Sequence, residues 1–320
     1  MSALDLLLRC RLSPLKLVLL HILKNQQMSK RGLILFIGSS IVGGLPWIFT
    51  KILLERFQPS SIVLIRALVA GLVMLLYSMQ QKTLFAALKK WPWILVFALI
   101  QMTIPWWLTS FAQKSIDTTV VGLLMATIPI FALLFAFIER EHSAITRSRV
   151  AGVITGIIGV AFLIGIDTAI GKSDLGKVLL VVLCTMGFAY GPRLVRRHLS
   201  EVPTSGVLAV AMIFTAMIWF VPGASSWPTD TLHTKYVLAA LAVSLLCTAF
   251  GFIIYLEAIK EIGPQNIALL AFTNPIVSIS IGVLFAHESI SLGLMIGFPI
   301  IMLGIYLSTS KKLSTQLLPN

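Results

Sequence analysis

AQKSIDTTVVGLLMATIPI, residues 112–130, returns in altered form as AIKEIGPQNIALLAFTNPI, residues 258–276. At a shift of 146 residues Ala112 meets Ala258, Lys114 meets Lys260 and Ile116 meets Ile262. Leu123 and Leu124 meet Leu269 and Leu270, Thr127 meets Thr273, and Pro129 meets Pro275. The same shift lays Pro46 on Pro192. Glycine pairs seven apart, Gly152/Gly159 and Gly297/Gly304, follow the two later prolines, one residue out of register. The chain is therefore written as two halves.

Composition says what each half is made of. Of 320 residues, 58% are hydrophobic and 12% charged, and the mean hydropathy is +0.96. A soluble domain carries about a quarter charged residues. The apolar residues recur in runs of about 20, the length that crosses about 30 Å of hydrocarbon as a helix. Ten spans are predicted, near 32–54, 61–79, 92–112, 119–138, 149–166, 175–193, 205–222, 236–256, 266–286 and 289–308. Five spans per half is an odd number, so the second half enters the membrane upside down relative to the first. The predicted fold is all-α and integral to the membrane: ten transmembrane helices as two inverted five-helix repeats, residues 31–167 and 174–308.

Residues 1–30 form a basic leader, MSALDLLLRCRLSPLKLVLLHILKN onward, too charged and broken for a clean span. It reads as a helix lying on the membrane, or as untranslated sequence before a start at Met28. Residues 309–320 are the tail. Counting Lys and Arg on alternate sides gives 18 on the side of the N-terminus and six on the other, with Arg66 inside a span completing 25. The excess of cations marks the cytoplasmic side, so both termini are expected in the cytoplasm of a cell-membrane protein. The net charge of +13 is accounted for in this way and does not point to nucleic acid. Cys10, Cys184 and Cys247 make no disulfide framework, and no Asn-x-Ser/Thr sequon occurs.

Two stretches, GGLPWIFTKILLERFQPSSIVLIRALVAG (43–71) and LLMATIPIFALLFAFIERE (123–141), together with LLAFTNPIVSISIGVLFAHE (269–288), carry a family likeness. The sequence resembles the drug/metabolite transporter superfamily, and within it the EamA-type ten-helix members. The likeness covers nearly all of residues 30–308, with Lys51, Pro59 and Arg66 where the family places them. It departs from the pattern in reading ERE where one acidic residue is usual, and in having Met212 opposite Arg66. The resemblance implies a carrier whose cavity lies between the halves, lined by the first, third, fourth, sixth, eighth and ninth helices. Such a carrier moves small metabolites, amino acids or drugs, commonly outward.

The residues themselves supply candidates. Pro46, Pro129, Pro192 and Pro275 remove backbone donors at symmetry-related places, either as packing kinks or as hinges lining the cavity. Lys51 and Arg66 have two readings. Either both reach the interface, Lys51 pairing with Glu55 one turn later, or they form a cationic lip that attracts carboxylates. Trp47, Trp106, Trp107, Tyr190, Phe250 and Phe272 are pocket candidates, at least one of Trp106 and Trp107 belonging instead to the interfacial aromatic belt. Gln101, Thr273 and Asn274 are polar candidates, the amides above all, because buried amides in hydrocarbon need partners. GVITG (Gly152, Gly156) and GLMIG (Gly293, Gly297), with Gly159 and Gly304, read as close packing of the fifth and tenth helices.

Other classes are disfavoured. GIDTAIGKS (165–173) has five residues between its glycines where a phosphate loop needs four. The five histidines show no metal spacing, and no serine nucleophile elbow appears. No cofactor, metal or enzymatic activity is expected. Acidic residues sit at span ends or in loops, which weakens proton coupling. The expected function is secondary transport by alternating access. The alternatives are a nucleotide-sugar or sugar-phosphate exchanger, for which several inward cations are expected, and a non-transporting membrane protein. The expected partners are a small-molecule substrate and membrane lipid, with the chain a monomer or a homodimer.

Overall fold

The structure is a computed structural model that describes residues 29–140, 146–169, 174–229, 233–267 and 269–309. The expectations for the leader and the tail lie outside the described residues. Eight helices are long and apolar enough to cross a membrane. They are α1 (Lys30–Leu53), α2 (Pro59–Gln80), α3 (Trp91–Ala112), α4 (Thr118–Ile138), α5 (Arg147–Ile166), α6 (Leu175–His198), α7 (Thr204–Ser225) and α8 (Thr234–Gly263). Two shorter apolar helices complete the set, α9 (Leu270–Phe285) and α10 (Leu292–Leu307). Each coincides with one of the ten predicted spans. No strand occurs among the described residues. The protein is an all-helical, multi-pass integral membrane protein.

Helix starts follow local chemistry. Ser29 Oγ accepts from Gly32 N at 2.9 Å to begin α1, Asp174 Oδ1 accepts from Gly176 N at 2.9 Å to begin α6, and Ser291 Oγ accepts from Leu294 N at 2.9 Å to begin α10. Each satisfies an amide that the helix leaves without a partner. Pro59 opens α2, where a missing N–H costs nothing. The start of α4 is capped from the other half of the chain: Glu288 accepts from Thr118 N at 2.7 Å and Thr119 N at 2.9 Å.

The pairing of helices reveals the symmetry. α2 packs on α7, α4 on α9 and α5 on α10, so that each helix meets its own counterpart in the other repeat. The contact of α1 with α8 is matched by that of α6 with α3, the exchange that a two-fold relation requires. The counterpart pairs run antiparallel. In α2 and α7, Ser61 Oγ donates to Gly223 O at 2.8 Å near one end, while Thr83, just past α2, shares a hydroxyl bond with Ser205 at the other. In α5 and α10, Leu163 lies against Gly297 and Gly156 against Gly304. In α4 and α9, Gly122 lies against Ser278, and Thr119 against Gly282. A helix antiparallel to its own repeat partner is an inverted repeat.

Two large cores, with two smaller ones beside them, hold the described residues of the bundle. One gathers α2, α3 and α7 around Met74, Ile94, Met102 and Met212, and the other gathers α4, α5, α6, α9 and α10 around Leu123, Leu163, Val181 and Ile301. The outer faces are apolar and open: Leu76 is 61% exposed and Val221 73%. Lipid tails, not water, are the natural solvent of such a surface.

Candidate substrate and gating site

Four prolines mark where the halves differ. The helical ladder of α1 is interrupted at Leu45, immediately before Pro46, and that of α4 turns at Ala126–Thr127, before Pro129. The counterpart Pro192 sits inside an unbroken stretch of α6, whereas Pro275 lies in α9 shortly after a turn at Leu269. The equivalent Pro46 and Pro192 therefore lie in two shapes. Thr50 and Thr127 bond back to Pro46 O and Leu124 O at 2.8 and 2.6 Å, satisfying carbonyls near the breaks.

Against α1 and α6 lie the two amides. Asn274 of α9 packs on Gly43, where an added Cβ would come within 2.6 Å of Asn274 Nδ2. Gln101 of α3 packs on Gly191, next to Pro192, with its Oε1 in the place of a Cβ. Only glycine lets an amide approach the backbone so closely. Gln101 Oε1 and Asn274 Oδ1 are both buried and accept no hydrogen bond from any described residue. Each is an acceptor whose desolvation is uncompensated within the protein. One turn along from Gly43, Ser40 Oγ and Thr273 Oγ1 lie 2.8 Å apart and tie α1 to α9.

Arg66 of α2 is held by α3 and α8. Its Nε donates to Thr248 Oγ1 at 2.8 Å, and its guanidinium carbon lies 4.1 Å from the centre of the Trp106 ring. Trp106 is 3% exposed and therefore belongs to the interior. Trp107 stacks on Phe111 and Trp219. Thr248 stands in a π-helical stretch of α8 (Ala242–Phe250), and Gln101 in one of α3 (Leu99–Thr103). Under the 146-residue shift the two stretches coincide, with Gln101 on Cys247. Insertions of this type cluster at functional sites because they re-aim side chains.

At the other end of α1, Lys51 Nζ donates to Gln113 O at 3.0 Å and Ile116 O at 3.3 Å, and Gln113 Nε2 donates back to Trp47 O at 3.0 Å. The expected pairing of Lys51 with Glu55 does not occur. Glu55 bonds instead to Lys235 and the Tyr236 hydroxyl of α8, and the Lys235 ammonium holds its carboxyl below the usual value. The helix ends at Leu53, so Glu55 lies past the last turn and the i,i+4 geometry is lost. The end that carries Ser29 is tied differently. Arg193 of α6 pairs with Glu139 past α4 at 2.7 Å, and Ser29 donates to Glu261 at 2.6 Å.

The remaining aromatic candidates are scattered. Tyr190 meets the Phe135 ring edge-on at 5.3 Å, Phe272 is buried in the second core with Trp47 against it, and Phe250 is half exposed. The glycines do pack α5 on α10. A Cβ on Gly304 would lie 2.5 Å from Gly156 N and 2.8 Å from Gly152 O, and one on Gly159 would lie 2.7 Å from Ile301 N. Gly293 is buried at the start of α10. Among the described residues no three His, Cys, Asp or Glu side chains gather to hold a metal ion.

Sequence reasoning missed Thr248, Ser40, Gln113 and Gly191. A threonine or serine in a span is unremarkable alone. Thr248 adjoins the position that the repeat lays on Gln101, and that was the available signal.

Comparison with known proteins decides the family. The EamA-like transporter family matches residues 30–165 and again 175–310. This chain belongs to the EamA-like transporter family. As an EamA-like protein it is 22% identical to the uncharacterized transporter YvbV of Bacillus subtilis, over 85% of this chain and 89% of that one. It is 24% identical to an uncharacterized transporter of Archaeoglobus fulgidus, over 89% and 99%. Protein PecM of Dickeya dadantii is 26% identical over 80% and 84%. A solved crystal structure shares the fold with a TM-score of 0.61 at 19% identity, covering 88% of this chain and 97% of its own. The EamA-like match falls once on each repeat, so the internal symmetry is the family's own unit.

Proposed function

We propose that this EamA-like protein is a secondary transporter that exports small metabolites by alternating access. Its substrates are amino acids or related amphipathic compounds, or drug-like molecules. The observation that carries this reading is the unequal shape of equivalent helices. Prolines at matched positions interrupt α1 but leave α6 continuous. In an inverted repeat, exchanging those shapes between halves closes one side of the site and opens the other. No separate moving domain is needed.

The surplus of Lys and Arg supports a reading with both termini in the cytoplasm and the Lys51 end outside. Lys51 and Gln113 then form the outer closure between α1 and the α3–α4 corner. The interior amides and Arg66 face the substrate. Lipid surrounds the apolar exterior, and the unit is a monomer or a homodimer. An exchanger of sugar phosphates is less well supported, because among the described residues Arg66 has no second cation in contact with it.

The test is flux in proteoliposomes holding the purified full chain. A panel of amino acids and drugs is loaded on one side, with and without a protonophore. Saturable, side-dependent movement of at least one solute above empty vesicles is expected. Equal leakage with and without the protein, for every solute, overturns the reading.

A further inference from the structure

Arg66 lies seven residues into α2 from Pro59, about 10 Å along the axis at 1.5 Å per residue. A cation deep in a span costs about 2.5–3.5 kcal/mol on insertion scales. Among the described residues no carboxylate lies within ion-pair distance to offset that cost, and the charge is retained all the same.

What surrounds it fixes one edge and one face. Thr248 Oγ1 donates to Val243 O at 2.7 Å, so its oxygen is left to accept the Arg66 Nε at 2.8 Å. The guanidinium carbon lies over the Trp106 ring, 4.1 Å from its centre. Both supports are buried: Thr248 is 0% exposed and Trp106 3%. A guanidinium has five N–H donors, and the tie to Thr248 uses one. The outer edge, with its two Nη groups, has no hydrogen-bond partner among the described residues. Arg66 is nevertheless half-buried and not sealed, while Leu68, Leu72, Leu76 and Met79 of the same helix are exposed.

We propose that Arg66 is the recognition site for a substrate carboxylate, so that the transported compounds are monocarboxylates, amino acids included. The planar fork matches two carboxylate oxygens with two parallel N–H bonds, and the Trp106 stack and Thr248 bond orient it beforehand. One cation suits one negative charge. A phosphate monoester carries up to two, and would call for further cations. Binding a carboxylate also supplies the missing counter-ion, which removes much of the cost of a bare cation at this depth. This inference rests on the transport reading above.

The test is binding to the purified full chain, followed by its melting temperature and by titration. The probes are L-phenylalanine and phenylacetate, their counterparts without a carboxylate (phenylethylamine and phenylacetamide), and inorganic phosphate. Saturable stabilisation by the two acids, and by neither counterpart, is expected. Arg66→Gln should weaken acid binding at least tenfold. Arg66→Lys keeps the charge without the fork and should fall between. Thr248→Val leaves the cation in place but unoriented, and should weaken binding severalfold even if Arg66→Gln fails to fold. The inference is overturned if the acids do not bind, if the counterparts bind equally, if phosphate binds more tightly than the acids, or if folded Arg66→Gln binds as the unaltered chain does. Arg66-dependent acid binding without vectorial flux overturns the transport reading and leaves this site standing. Flux untouched by Arg66→Gln overturns this site alone.

Discussion

Lys51 Nζ lies 3.0 Å from the Gln113 carbonyl oxygen, and Gln113 Nε2 lies 3.0 Å from the Trp47 carbonyl oxygen, so the two residues clasp α1 to the end of α3 from both sides. A cation at a helix C-terminus meets carbonyls that the helix leaves unpaired and the negative end of its dipole. Gln113 is 0% exposed, which shields the clasp from water. The repeat places Arg197 opposite Lys51, at the far end of the inverted half, where it is exposed. The clasp at this end is thus made while its counterpart position is exposed.

Replacing Lys51 should therefore disturb transport more than folding. Lys51→Gln is expected to lower flux at least tenfold at matched expression, with the monodisperse yield retained. Side-specific flux and size-exclusion profiles measure both. Unchanged flux would reduce Lys51 to an interfacial anchor.

The α5–α10 seam is set by close backbone approach. Gly304→Ala puts a Cβ 2.5 Å from Gly156 N, where backbone must shift, and should destabilise the protein by about 1–3 kcal/mol. Gly165→Ala is the control: nothing lies within 4 Å of a Cβ there. It should be neutral or stabilise by up to about 1 kcal/mol, as alanine does in a helix. Melting temperatures of the two variants check the contrast.

Glu288 joins the repeats through the amides of Thr118 and Thr119. Glu288→Ala leaves those donors uncapped and should cost about 0.5–2 kcal/mol, with Glu288→Gln recovering part of it. Thermal unfolding in detergent separates the three proteins. Equal midpoints would mean that water replaces the carboxylate without loss.

The Glu55 link to Lys235 and Tyr236 should be sensitive to acid. Its carboxyl titrates below the usual 4.5 in the folded chain because Lys235 stabilises the charged form. Its contribution is then complete above pH 4.5 and is lost as pH falls through the lower, folded value. The midpoint difference between the unaltered chain and Glu55→Gln should shrink on acidification below 4.5. Both partners are about half exposed, so the effect is small and weakens with salt.

The sequence by itself determined the number of spans, the two repeats and their inversion. Bilayer thickness sets the length of each apolar run, and an odd number of crossings per repeat forces the second to invert. It also marked Gln101, Asn274, Arg66 and the glycine seam, because polar groups in hydrocarbon and small residues at helical spacing each have few uses. Only the tertiary structure decided their partners. That Gln101 meets Gly191, that Arg66 rests on Trp106 and Thr248, and that Glu55 turns from Lys51 to Lys235 all depend on helices far apart in sequence. The π-helical stretches were equally hidden, since one extra residue in a turn leaves the hydrophobic pattern unchanged. Pro46 and Pro192 show the limit most plainly. Both remove the same donor, yet α1 is interrupted and α6 is not, because neighbouring helices, and not the proline, decide whether the ladder yields.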